Sequence, residues 1–205
     1  MTGTEEGRIS LVVGLGNPGR EYEKTRHNAG FMAVTRLLET LPGEFEMVKG
    51  FSGIYWKGRV RGRNLYLLQP MTFMNLSGKA VVAIMRTMNF KADEILVVHD
   101  DSDLPLGRLR LRKNGSSGGH RGVESIIAET GTQQFARLRI GIGSEAKRNQ
   151  VDFVLGEFAA AEQPLVERVL DTATEALKAT LYRGVGVAMN EYNGVEITLE
   201  NNETV

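Results

Sequence analysis

The sequence predicts an α/β fold, a single layered domain in which a mixed, mostly parallel β-sheet is flanked by helices on both faces. Three observations carry this reading. Short β-branched apolar runs alternate with stretches of helical period, as in chains that interleave strands and helices in one sheet. One pair of strand-like runs is separated by a tight turn, so at least one pairing is antiparallel. The 205 residues, 41% of them hydrophobic, suit one core of generous size, with loose ends expected over residues 1–8 and from about 194 to 205.

Taken in order, Ile9 to Val13 is an apolar run closed by glycines, the pattern of a strand buried on both faces. After a glycine-rich polar loop, Phe31, Val34, Leu37, Leu38 and Leu41 fall at helical spacing until Pro42 and Gly43. Phe51 to Val60 and Asn64 to Gln69 form a hairpin across Arg61-Gly62-Arg63. Ser77 is placed to cap a helix through Met88. Ile95 to Val98 reads as a second buried strand, followed by an acidic turn, His99 to Asp103. Arg108 to Arg112 alternates strictly, and a flexible loop, Gly115 to Gly119, follows it. A helix from Val123 to about Glu129 then leads into the strand Ala136 to Ile142, where Arg137 and Arg139 alternate with apolar residues. After a polar loop to Gln150, the longest helix runs from Glu162 to Tyr182, with Pro164 in its first turn and Gly184 after its end.

Composition excludes several classes of chemistry. Lys plus Arg equals Asp plus Glu at 25 each, so any polyanion site must be local. The chain has no cysteine, which removes thiolate nucleophiles, Cys-type zinc sites and iron–sulfur clusters, and it suits a reducing cytoplasm. The N-terminus is polar and acidic, and no apolar run approaches the roughly 18 residues of a membrane span, so neither secretion nor insertion is expected.

Two familiar motifs fail on context. Gly14 to Gly19 matches G-x-G-x-x-G, but Pro18 and the polar stretch through His27 delay the helix that would meet a pyrophosphate. Gly115 to Gly119 matches G-x-S-x-G, yet no histidine other than the adjacent His120 follows Ser117, against the chain order of such hydrolases. The acidic turn matches neither a calcium loop nor a zinc helix, so no metal is expected.

What remains is a convergence of polar groups at the carboxyl ends of strands, where open α/β sheets bind ligands. Asn17, Asn75 and Asp100 each follow a strand, and the polar loop after the first strand delivers His27. A histidine titrates near neutrality, and an aspartate on one ring nitrogen fixes the tautomer that lets the other accept a proton. The two asparagines are suited to bind a carbonyl or its oxyanion. The arginines of the two alternating strands, Arg108, Arg110 and Arg112 with Arg137 and Arg139, are either solvated edge residues or a phosphate clamp around the glycine loop.

At these residues the sequence resembles the bacterial-type peptidyl-tRNA hydrolase family. The resemblance covers G-L-G-N-P-G-R-E-Y with T-R-H-N-A-G, then T-F-M-N-L-S-G-K-A-V, H-D-D-S-D-L-P-L-G, G-G-H-R-G and R-L-R-I-G-I-G, from about residue 10 to 158. It implies a cytoplasmic, usually monomeric enzyme of translation and ribosome rescue, which hydrolyses the ester between a peptide and the 3′ ribose of tRNA. It also implies that no metal, cofactor or covalent intermediate takes part. By that resemblance His27 is the catalytic base and Asp100 its partner. Asn17, Asn75, Met74 and Tyr22 bind substrate, with His120 a neighbour of the site, and Arg112 and Arg139 grip the tRNA 5′ phosphate. One position departs, because some relatives carry an asparagine where this chain has Arg121, leaving Arg121 a candidate contact to phosphate or a peptide carbonyl. Relatives of this fold also act as RNA-binding cofactors without chemistry, a reading that the presence of His27, Asp100, Asn17 and Asn75 opposes.

Overall fold

The computed structural model describes residues 8–143 and 150–199. Its centre is β1 (Leu11–Gly14), buried at every position. Parallel β4 (Arg63–Pro70) lies on one side of it and parallel β5 (Ile95–Asp101) on the other. The hairpin β2 (Phe45–Gly50) and β3 (Gly53–Val60) extends the sheet beyond β4, and β7 (Ala136–Gly141) with β6 (Leu109–Arg112) extends it beyond β5. The order is therefore β2-β3-β4-β1-β5-β7-β6. Only β3 and β6 run against the other strands.

Helices cover both faces, as expected of a sheet whose central strands carry no polar side. On one face α1 (Ala29–Thr40), α5 (Gln163–Arg183) and α6 (Val185–Tyr192) pack in one apolar cluster with Val12, Leu96, Val98 and Leu138. On the other, α2 (Ser77–Met88) and α3 (Arg121–Thr130) cover Leu11, Val13, Ile95 and Val97. Burying each such side chain contributes about 1.5–3 kcal/mol, so the register of β1 against β5 is strongly specified. That register matters for function, because a slip of one residue would turn His99 instead of Asp100 to the α1 face. The approach of α1 to the strands is equally tight. A Cβ on Gly14 would lie 2.5 Å from the Gly30 carbonyl oxygen, and one on Gly30 would lie 2.3 Å from that of Val98. Glycines at this crossing let α1 begin directly over the ends of β1 and β5, which brings the residues just before it to those ends.

Several local expectations are corrected. The acidic turn does not exist as such: β5 continues through Asp101, and His99, Asp100 and Asp101 are buried. Phe51 and Ser52 are not strand but the two-residue turn between β2 and β3, both at a φ of 53°. Ser77 does not cap α2; it lies inside the first turn and donates its hydroxyl to the Met74 carbonyl at 2.8 Å. A short helix α4 (Gln150–Leu155) follows the polar loop, of which residues 144–149 lie outside the described residues, as do both chain ends. The tail is not loose through residue 199. Ile197 is buried with its N–H on the Gly107 carbonyl, and Glu196 pairs with Arg108 at 2.7 Å.

Candidate active site

The ends of β1, β4 and β5 and the start of α3 enclose a cleft of about 700 Å³. Every residue that the family resemblance assigns to the site lines it, namely Asn17, Tyr22, His27, Met74, Asn75 and Asp100, with Arg112, His120, Arg121 and Arg139; Arg108 and Arg110, also clamp candidates, do not.

At its heart two histidines share one aspartate. His27, in the short 3-10 turn Arg26–Asn28, places Nδ1 2.9 Å and 3.0 Å from the two carboxylate oxygens of Asp100. His120 caps α3, its Nδ1 accepting from the N–H groups of Gly122 and Val123 at 3.2 Å and 3.3 Å. With Nδ1 an acceptor, the His120 ring proton sits on Nε2, which donates to Asp100 Oδ1 at 2.9 Å. Burial would raise the Asp100 carboxyl, but the His120 and His27 imidazoles hold it well below the usual carboxylate range. An ionised Asp100 makes Nδ1 the donor of His27 and leaves Nε2 as that ring's basic atom. These three residues offer a metal two nitrogens and an oxygen within 4.8 Å of one another. The same atoms are engaged with each other by hydrogen bonds, and the capping role of His120 fixes a proton on the nitrogen an ion would need.

Asn17 is held from two directions. Its side-chain oxygen accepts from the Met74 N–H at 2.8 Å, which assigns the amide orientation and leaves Nδ2 as donor. Its backbone exchanges hydrogen bonds with the Asn28 side chain at 2.8 Å and 3.0 Å. Asn28 was missed by the sequence reading, although its place directly after His27 in a polar loop was a signal. His99, next to Asp100, is buried and donates through Nδ1 to the Asp100 carbonyl at 2.6 Å. Burial, then proximity to His120, pushes its pKa well below that of a free histidine.

The arginines separate by role. Arg137 is not part of an open clamp. It is 2% exposed and donates to the carbonyls of Gly115 and Ser116 at 2.7 Å and 2.8 Å and of Gln133 at 3.1 Å, so it fixes the near end of the glycine loop. Burial, then Arg139, lowers its pKa to about 10, which still leaves a cation at neutrality. Arg139 Nε pairs with Asp101, and Arg108 with Glu196. Arg112 and Arg121 have no ion-pair partner among the described residues and face the cleft. Arg121 also stands at the first position of α3, where the helix dipole disfavours a cation.

A buried arginine beside His27 went unpredicted. Arg26 pairs with Glu162 at 2.7 Å, donates to the Glu157 carbonyl, and lies over the rings of Phe153 and Phe158 at 4.5 Å and 4.9 Å. It thereby ties the turn carrying His27 to α4, whose Val151, Val154 and Leu155 line the cleft.

Comparison with known proteins finds relatives along most of the chain. The family model described as peptidyl-tRNA hydrolase matches residues 11–201. A peptidyl-tRNA hydrolase of Synechococcus sp. is 46% identical over 195 residues, covering 95% of this chain and 87% of the relative. That of Aquifex aeolicus is 49% identical over 170 residues, covering 82% and 88%. The crystal structure of peptidyl-tRNA hydrolase from Acinetobacter baumannii superposes with a TM-score of 0.88 at 38% identity, covering 96% of this chain and all of that one.

Proposed function

The chain belongs to the peptidyl-tRNA hydrolase family, and from that premise we propose that it cleaves the ester between a peptide's terminal carboxyl and the 3′ ribose of tRNA, with His27 activating water. The observation that carries the proposal is the hydrogen bond from His27 Nδ1 to Asp100 at 2.9 Å in a cleft that also holds Asn17 and Asn75. Nε2 of His27 takes a proton from water as the water oxygen attacks the ester carbonyl, and Asp100 stabilises the resulting imidazolium. The negative charge that develops on the carbonyl oxygen is met by the Asn17 Nδ2 donor and the Asn75 amide; one such donor is typically worth roughly 3–4 kcal/mol in the transition state. When the intermediate collapses, the bond to the ribose oxygen breaks and the imidazolium returns its proton to that oxygen. The products are a peptide carboxylate and a tRNA with a free 3′ hydroxyl. His120 keeps Asp100 ionised and oriented, and Tyr22 and Met74 form the walls against which the substrate lies. Arg112 supplies a free cation for the tRNA phosphates, with Arg139 beside it held by Asp101.

The test uses two substrates. The protein should cleave a peptidyl-tRNA and spare an aminoacyl-tRNA with a free amine, and His27→Ala should lower turnover by about two to four orders of magnitude. Near-normal turnover in folded His27→Ala overturns the mechanism. Tight binding of tRNA with cleavage of neither ester would make the protein an RNA-binding cofactor.

A further inference from the structure

A second groove, of about 870 Å³, begins where the cleft ends, with Asn17 lining both. The same chain segments supply walls to both cavities. On one side the loop after β4 turns Phe73 into the cleft and Met71 into the groove, and both side chains are unusually exposed, at 61% and 40%. On the other side the chain that supplies Val154 and Leu155 to the cleft continues as Glu157 and Phe158 along the groove. Thr35 of α1 and Ala160, both exposed, also line it.

The charges of the two cavities are opposed. The cleft carries Arg112, Arg121, Arg137 and Arg139 against the two carboxylates Asp100 and Asp101, whereas the groove is edged by the exposed carboxylates of Glu23, Glu39, Glu157 and Glu167. Its two cations are Lys24 and Arg36, and Arg36 is already bonded to Glu167 and Asp171. A phosphate backbone is repelled from such an edge. Of the two halves of the substrate only the peptide can lie there.

We propose that this groove binds the residues of the peptide upstream of the scissile ester, so that the substrate spans the molecule with RNA on the arginine side and peptide on the glutamate side of Asn17. The assignment rests on the hydrolase reading above. An adaptable methionine and an apolar floor suit peptides of many sequences, since thioether and aromatic surfaces accept varied side chains without fixed polar partners.

The experiment compares N-acetyl-aminoacyl-tRNA with an N-acetyl-hexapeptidyl-tRNA, whose peptide reaches about 20 Å when extended. Thr35→Trp and Ala160→Trp, both at exposed lining positions, each fill part of the groove, and melting curves identify any variant that fails to fold. In a folded filler variant KM for the hexapeptidyl substrate should rise about tenfold with little change in kcat, while the short substrate keeps its wild-type constants. Equal effects on both substrates, or none on either, would overturn the groove assignment and leave the hydrolase reading intact. Failure of the wild-type protein to cleave either ester would overturn both.

Discussion

Asp100 has two hydrogen-bond donors and a single negative charge to serve them. Replacing it by asparagine keeps the shape but presents an amide that can donate, so the His27 tautomer is no longer fixed. Asp100→Asn should therefore lower kcat by about three to four orders of magnitude with little change in KM, measured on a peptidyl-tRNA at neutral pH. Because the same atoms are engaged with one another, EDTA treatment should leave the wild-type rate unchanged; loss of activity restored by a divalent ion would assign His27, Asp100 and His120 to a metal. His99 makes a prediction about stability. Its folded pKa lies below its unfolded value of about 6.5, so in acid the unfolded chain binds the extra proton and stability falls as pH drops below about 6.5. Asp100 adds to the same loss below its unfolded pKa of about 3.9. The melting temperature should fall between pH 7 and pH 5, and fall less in His99→Phe; parallel slopes for the two proteins would show that His99 is not the group responsible. The pairing of His27 with Asp100 was legible because Asp100 stands near the carboxyl end of β5 and the polar loop after β1 delivers His27 to that same edge. The roles of His99 and Asn28 were not, since burial of a polar side chain depends on packing from distant segments.

At the level of elements, Arg137 shows how one strand residue organises a loop. Its guanidinium ties the near end of the glycine loop, through the Gly115 and Ser116 carbonyls, to the Gln133 carbonyl just before β7, and an uncharged replacement would remove all three of these bonds. Arg137→Met should cost about 2–4 kcal/mol in denaturant unfolding. It should also raise KM, because the loop it anchors lines the cleft; a stable variant with normal KM would make the anchoring incidental. The alternation of β7 correctly indicated a strand, but period alone cannot say whether an arginine side is solvated or covered, and here the covering loop comes from residues about twenty positions away. Strand β2 was illegible for a related reason. Phe45 to Gly50 holds Glu46 and Lys49 and is largely exposed, and its turn uses Phe51 and Ser52 where Asn-Gly would have signalled a hairpin. Helix α6 follows Gly184 directly, and that glycine reads equally well as the end of ordered structure. By contrast, α1, α2 and α5 were recognisable almost to the residue, since each has a continuous apolar stripe that a single sheet face can bury.

Over the whole molecule the charges cancel, with 25 basic and 25 acidic residues, so attraction of a polyanion cannot come from net charge. It has to come from where cations are left unpaired. Arg112 meets that condition inside the cleft, whereas Lys91 lies just before β5, at the end of the strand away from the cleft. If Arg112 contacts a tRNA phosphate, the slope of log affinity against log salt should shrink by about 0.7–0.9 in Arg112→Gln, the contribution of one neutralised phosphate. Lys91→Gln removes the same charge from the molecule and should leave the slope unchanged. Titrating tRNA binding between 50 and 200 mM salt, a range over which phosphate contacts weaken steeply, separates the two cases. Equal shrinkage in both variants would mean that binding follows total charge, and the local arginine face would lose its claim to the tRNA.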